Sequence, residues 1–187
     1  RLLAEFDRDL VRAHRGEFTY VDHGTPWSAV ARNLAVEVAR PASEYRGQAR
    51  FWNGTVAIQD YVPMRADMST SFRIDGGRVI LDRIDLVTDG ADSFLTGEVD
   101  IPRWPNQTYQ VRSRVDFPRM REIFFADDDF MLAGQGDFTG TFRLFREVVA
   151  GRPRTGRELK GAFTSPALAV NAYAFNDLRG SLLWVPA

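Results

Sequence analysis

The sequence contains no cysteine, two histidines and, among its 24 basic residues, a single lysine, Lys160. Without cysteine, disulfides, zinc–thiolate sites and thiol nucleophiles are excluded. A formal net charge of −1 provides no overall positive field, so no nucleic-acid partner is expected. No stretch approaches the roughly 18 consecutive apolar residues of a membrane-spanning helix, so any membrane anchor is expected to lie outside this chain.

The length and composition indicate one folded domain or a segment of a longer protein. The 187 residues are 44% hydrophobic and 26% charged, which is ordinary for a folded soluble protein. The chain starts with Arg1 rather than methionine, so we expect a fragment or a processed product.

Catalytic and metal-binding patterns have little support in the sequence. His14 and His23 are the only histidines that could act as the base of a Ser-His-Asp triad, and no serine lies in a G-x-S-x-G elbow. The segment ADDDF at 126–130 lacks the ligand spacing of a calcium loop, so it predicts an exposed acidic turn. We therefore expect no catalytic residue, no metal site and no cofactor, and a protein that is not an enzyme.

Alternating apolar and polar residues dominate the chain and predict β-strands. In 94–101, Leu95, Gly97 and Val99 share one face, and residues 109–117 alternate in the same way. A long alternating run, rich in glycine, starts at Phe130. The predicted fold class is mainly β, an elongated curved antiparallel sheet with at most one or two short helices.

A weak internal repeat has the pattern apolar-x-apolar-x-x-apolar-x-apolar. Two segments fit it fully, and a third around Val56, Ile58 and Tyr61 fits three of the four positions. A β-bulge at the double spacer would return the later residues to the same face. The full matches are Val79, Leu81, Ile84 and Leu86, and Leu168, Val170, Tyr173 and Phe175.

Four local signals complete the prediction. Leu2, Leu3, Phe6, Leu10 and Val11 have helical spacing and favour a short N-terminal helix within residues 1–45, whose strands continue the sheet. Pro118 predicts one helical turn, and Asn53-Gly54 predicts a hairpin turn. Residues 146–158, with glycines and a proline among arginines, predict a solvated loop.

From about residue 46 to 184 the chain resembles the AsmA-like proteins of bacteria, and especially the TamB-like branch (translocation and assembly module). The similarity is carried by short β-hairpins followed by SFLTGEVD at 93–100, YQVRSRVDF at 109–117, LAGQGDFTGTFRLF at 132–145 and LKGAFTSPALAVNAYAFNDLRGSLLW at 159–184. It extends back to GEFTYVDHGTPWSAVARNLAVEV at 16–38. These are apolar and glycine patterns, so no catalytic residue is carried over.

The resemblance implies that residues 46–187 form a repeating β-hairpin segment folded into an open apolar groove, a β-taco. It implies a periplasmic lipid-transfer conduit, anchored in the inner membrane through a segment outside this chain. Such a conduit shields phospholipid acyl chains and supports outer-membrane protein assembly. The implied partners are lipid, neighbouring segments of the same longer chain and an outer-membrane β-barrel. The implied groove-lining residues are Val79, Leu81, Ile84, Leu86, Leu95, Val99, Val111, Val115, Phe138, Phe142, Leu168 and Val170.

Two other interpretations stay open at this point. A self-packed β-sandwich would cover the apolar face with a second sheet and act as a binding or adhesin-like module. A β-rich enzyme would need convergent carboxylates in a cleft, for which the sequence gives no pattern.

Overall fold

The computed structural model describes residues 3–7, 10–22, 27–41, 43–58 and 60–185, and these residues form eleven strands and one helix. The strands up to the helix are β1 (Leu3–Asp7), β2 (Leu10–Asp22), β3 (Trp27–Ala39), β4 (Tyr45–Ile58), β5 (Met64–Asp75), β6 (Arg78–Thr88), β7 (Ala91–Asp100) and β8 (Gln107–Asp116). The helix is α1 (Phe117–Phe124), and β9 (Leu132–Val149), β10 (Arg152–Val170) and β11 (Tyr173–Trp184) follow it.

The strands form one antiparallel sheet in which each strand pairs with its neighbours in sequence. The order runs from β1 to β11, so these two strands are the edges of an open sheet. No break in the sheet occurs near residue 45, because β3 pairs with β4 from Trp27↔Ile58 to Ala39↔Arg46. The fold is mainly β with one short helix, as the alternating pattern predicts.

The two faces of the sheet differ sharply in polarity. We call the apolar face the one that carries Leu81, and the polar face the opposite one. Residues that pair directly across an antiparallel ladder point to the same face, so the register extends both faces from strand to strand. In β4 to β8, all of whose residues are described, every charged side chain lies on the polar face.

Bulges keep the apolar face continuous along the longer strands. In β6 an extra residue between Leu81 and Ile84 shifts the register with β7, and in β10 an extra residue lies between Thr164 and Ala167. The double spacer of the first full repeat copy therefore falls at a bulge, as predicted. That of the second copy, Asn171-Ala172, is instead the turn between β10 and β11. Bulges increase local twist and bend the bulged strand, which accounts for the curvature of the sheet.

The helix α1 begins where the sequence predicts it. The Asp116 side chain caps it by accepting a hydrogen bond from the backbone N–H of Arg119 at 3.0 Å, and Pro118 lies in the first turn, where its missing N–H costs nothing. Ile123 is the buried residue of the helix.

The hairpin predicted at Asn53-Gly54 is wrong. Both residues lie inside β4, at a bulge between Phe51 and Gly54 where Asn53 has φ of +58°. Asparagine tolerates this left-handed conformation better than most residues, so the dipeptide marks a bend of one strand instead of a turn between two. The third repeat copy also fails, because β4 ends at Ile58.

Two further predictions need correction. The described residues of the expected N-terminal helix are in strands β1 and β2, while Leu2 lies outside the described residues. Residues 146–158 are not a loop: β9 and β10 continue through them as a hairpin whose turn, Ala150-Gly151, has positive φ at both residues. That geometry matches the two-residue turn that fits the twist of a hairpin.

Candidate functional site

All twelve residues expected to line the groove lie on the apolar face. The register links them through pairs such as Val79↔Val99, Ile84↔Leu95 and Leu95↔Val111. Phe142 pairs with Tyr109, and Leu168 and Val170 follow the bulge in β10. Ile84 is buried and the other eleven are partly buried. Because one sheet carries them, they form a surface across several strands and not a closed core.

Aromatic rings cover the glycines of the apolar face. Seven of these glycines have a ring within 3 Å of the point where a Cβ would lie, so the ring occupies the space of the missing side chain. Covering a strand glycine with a neighbouring ring stabilises the sheet and leaves the lining flat. The pairs are Gly47 with Phe72, Gly54 with Phe51, Gly97 with Tyr109, Gly136 with Phe117, Gly140 and Gly161 with Phe138, and Gly180 with Phe163.

The polar side chains that β7 and β8 place at the centre of the apolar face pair with one another. The hydroxyls of Ser93 and Ser113 lie 2.8 Å apart across β7 and β8, and the Tyr109 hydroxyl donates to the side-chain oxygen of Gln107 at 2.6 Å. Burial raises the pKa of Tyr109 above its usual value. Among the described residues, no buried side-chain nitrogen or oxygen lacks a hydrogen-bond partner, so these groups add little polarity to the surface.

The helix α1 closes one end of the apolar face. Phe117 packs against Gly136 in β9, while at the other end of the helix the ring of Phe124 lies 5.0 Å from that of Tyr61, in the β4–β5 connection. The backbone N–H of Val62 donates to the carbonyl of Ile123 at 3.2 Å. Eight helical residues span about 12 Å, so α1 reaches from the end of β8 to the connection that leads into β5.

The polar face carries a lattice of ion pairs between exposed side chains. Arg73 contacts Asp82 at 2.9 Å, and Arg83 contacts Asp85 at 2.6 Å. The hydrogen bond from Arg73 lowers the pKa of Asp82, and that from Arg83 lowers the pKa of Asp85. Exposed pairs of this kind contribute little stability each, but they keep this face hydrated.

Two shallow depressions indent the sheet, and polar-face side chains line most of both. The larger, about 520 Å³, forms where small side chains such as Ser69 and Ser71 lie between longer ones, including His14, Arg50 and Arg83. The smaller, about 390 Å³, includes Phe94, Gln110 and Arg112. Of the twelve expected lining residues these two depressions include Val111 alone, so neither depression is the candidate site.

The described candidates for metal binding and catalysis lie apart from this surface. Asp127, Asp128 and Asp129 are exposed after α1, and the described residues contain no group of three metal-binding side chains. His14 lies at the larger depression, whereas His23 falls outside the described residues. Within the described part of the chain, no helix has the length and apolar character required to cross a membrane.

Sequence reasoning missed the helix contact and the ring-covered glycines. The contact between Tyr61 and Phe124 joins residues 63 positions apart in sequence, and no periodic pattern reports it. The ring-covered glycines could have been predicted from the sequence of β9. There glycine and phenylalanine alternate on one face, at Gly136, Phe138, Gly140 and Phe142.

The geometry defines the chain as a single-sheet β protein with one apolar and one polar face. No protein-family model, curated protein or solved structure matches this chain. The resemblance to AsmA-like and TamB-like proteins therefore rests on the sequence patterns.

Proposed function

We propose that this chain is a non-enzymatic segment of a lipid-transfer conduit, in which the apolar face shields the acyl chains of phospholipids. One observation carries the proposal: the apolar face runs across β4 to β8 without a charged side chain, and the opposite face carries the ion pairs. A conduit needs this division, because one face must hold hydrocarbon while the other stays in water.

The energetics of such a surface favour transport over tight binding. Each methylene that leaves water gains about 0.8 kcal/mol, and this gain does not depend on the position of the lipid along the surface. Ten strand spacings separate β1 from β11, a path of about 48 Å in a flat sheet. Across β4 to β8 an acyl chain can slide along this path without meeting a charged side chain.

The resemblance to AsmA-like and TamB-like proteins supplies the cellular setting of the proposal. The chain would act in the periplasm between the inner and outer membranes, joined to neighbouring segments of a longer protein. A role beside an outer-membrane β-barrel during protein assembly belongs to the same proposal.

The alternative, a self-packed β-sandwich acting as a binding or adhesin-like module, requires a second sheet over the first. The described strands form one sheet in sequential order, which favours the conduit.

The test is binding of a fluorescent fatty acid to the purified chain, with lipids that copurify identified by mass spectrometry. Val111→Asp places a charge on the apolar face, and the control Gln110→Asp places it on the polar face of the same strand. We expect weaker probe binding only in Val111→Asp, with circular dichroism confirming that both variants fold. Absent binding in the wild type, or equal loss in both variants, would reject the conduit.

A further inference from the structure

The hairpin formed by the ends of β9 and β10 extends beyond the rest of the sheet. The ladder between β8 and β9 ends at Gln107↔Leu144, and the ladder between β10 and β11 ends at Leu159↔Trp184. Residues 145–156 pair only with one another, from Phe145↔Gly156 to Val149↔Arg152. Five residues past Leu144 correspond to about 17 Å of extended strand. We call residues 145–157 the arm, which includes Arg157 at its base, paired with Leu144.

The arm is apolar at its apex and basic behind it. Val148 is 69% exposed and Val149 is 47% exposed, and Ala150 and Gly151 complete an uncharged apex. The arm carries four arginines and one glutamate, a net charge of +3 in a chain whose net charge is −1. Arg154 forms an ion pair with Glu147 at 3.5 Å. The arginines of the arm are Arg146, Arg152, Arg154 and Arg157.

A second exposed apolar group lies at the same end of the sheet. In an antiparallel meander, alternate connections lie at the same end, so the β7–β8 connection is beside the arm. Asn106 belongs to the β7–β8 connection, and its side chain accepts a hydrogen bond from the backbone N–H of Arg146 at 3.1 Å. In this connection Trp104 is 56% exposed and Ile101 is 51% exposed.

The opposite end has the opposite charge. It carries Asp60 and Asp89 in two connections, and residues 117–131 between β8 and β9 contain four acidic residues and two arginines. The two ends of the strands therefore present surfaces of opposite sign.

We propose that the arm docks onto the surface of a bilayer that contains anionic lipids. Exposed apolar residues at an apex enter the headgroup boundary, arginines behind them contact the anionic headgroups, and tryptophan favours the same interface. The acidic end would be repelled from that surface, so docking would orient the strands toward the membrane. This inference goes beyond the proposed function, because it stands on residues of the arm and holds whether or not the apolar face carries lipid.

The first test is sedimentation of the chain with vesicles of phosphatidylcholine alone or of phosphatidylcholine and phosphatidylglycerol in equal amounts. We expect binding to the mixed vesicles that high salt removes. Arg152→Glu with Arg154→Glu should weaken binding about tenfold or more. The matched control, Arg112→Glu in β8 with Arg179→Glu in β11, makes the same change in net charge away from the arm and should bind like the wild type.

The second test uses the absence of cysteine. A polarity-sensitive fluorophore on Val149→Cys should shift to the blue with mixed vesicles, while the same label on Val87→Cys, exposed on the polar face, should not. Three results would overturn the proposal: equal binding to both vesicle types, an equal loss of vesicle binding in the two double variants, or no fluorescence shift of the label at residue 149. Binding to an acidic protein without binding to vesicles would overturn it as well.

Discussion

Replacing Gly140 with alanine tests the close packing of glycines on the apolar face. Gly140 lies in β9 between Val111 on β8 and Gly161 on β10. A Cβ at this position would lie 2.8 Å from the Cα of Gly161 and 2.6 Å from the Phe138 ring, and closer still to the carbonyl oxygen of Lys160. Two of these three neighbours are backbone atoms of β10, which cannot rotate away.

The magnitude follows from two opposing effects. Glycine in a strand interior costs about 0.5–1 kcal/mol relative to alanine, so alanine would ordinarily stabilise β9. Overpacking costs about 1–3 kcal/mol, and here it requires the backbones of β9 and β10 to separate. We therefore expect a net loss of about 1–2 kcal/mol in the free energy of unfolding. For a chain of this size, each kcal/mol lowers Tm by about 2–4 °C.

Gly180→Ala in β11 is the matched control. The three nearest atoms to its added Cβ all belong to the ring of Phe163, which is exposed near the sheet edge and can turn outward. Its unfolding free energy should change less than that of Gly140→Ala. Urea unfolding followed by tryptophan fluorescence and circular dichroism measures both. A Gly140→Ala variant as stable as the wild type, or more stable, would refute the packing argument.

Three further predictions concern a bulge, the helix and an ion pair. Ser165 is buried at the β10 bulge and its hydroxyl donates to the Gln135 carbonyl at 2.7 Å. Ser165→Ala should therefore lower the free energy of unfolding, measured in urea, by about 1–3 kcal/mol. A loss no larger than that of the control, exposed Ser181→Ala, would contradict this. Ile123→Ala should lower the free energy of unfolding by about 2–5 kcal/mol and speed hydrogen exchange at the Val62 amide. The control, exposed Phe125→Ala, should change that exchange little. Unchanged exchange in Ile123→Ala would show that α1 does not hold the β4–β5 connection. The pKa of Asp82 is lowered in the folded state by Arg73, so its contribution is present above its unfolded pKa of about 3.9 and is lost as pH falls through the lower folded pKa. When the pH is lowered through this window, the free energy of unfolding should fall less in Asp82→Asn than in the wild type. The difference should be small and should shrink in high salt. An identical pH dependence of the two proteins would refute the assigned role of the Arg73–Asp82 pair.

The sequence was sufficient to predict the apolar face because the face depends on local alternation. The spacing of Leu81 and Ile84 also predicted the bulge, since only an extra residue returns both to one face. The sheet class and the position of α1 follow from the same kind of short-range pattern.

Longer-range features could not be predicted in this way. Asn53-Gly54 has the composition of a turn, but pairing with β3 and β5 holds it within β4. The arm contains residues typical of loops, and cross-strand pairing decides its structure. The contact of α1 with the β4–β5 connection joins Val62 to Ile123, 61 positions later in the sequence, and no local spacing encodes it. The lipid function remains a proposal from the apolar face and the resemblance.

The most direct test of the conduit is photo-crosslinking in cells that produce the protein and contain labelled lipids. Leu95 lies on the apolar face and its neighbour Phe94 on the polar face of β7, and both side chains are apolar, so a difference between them reports the face and not hydrophobicity. We predict lipid adducts with a photoreactive residue at position 95 and few at position 94. Equal adducts at both positions, or none at position 95, would contradict the conduit.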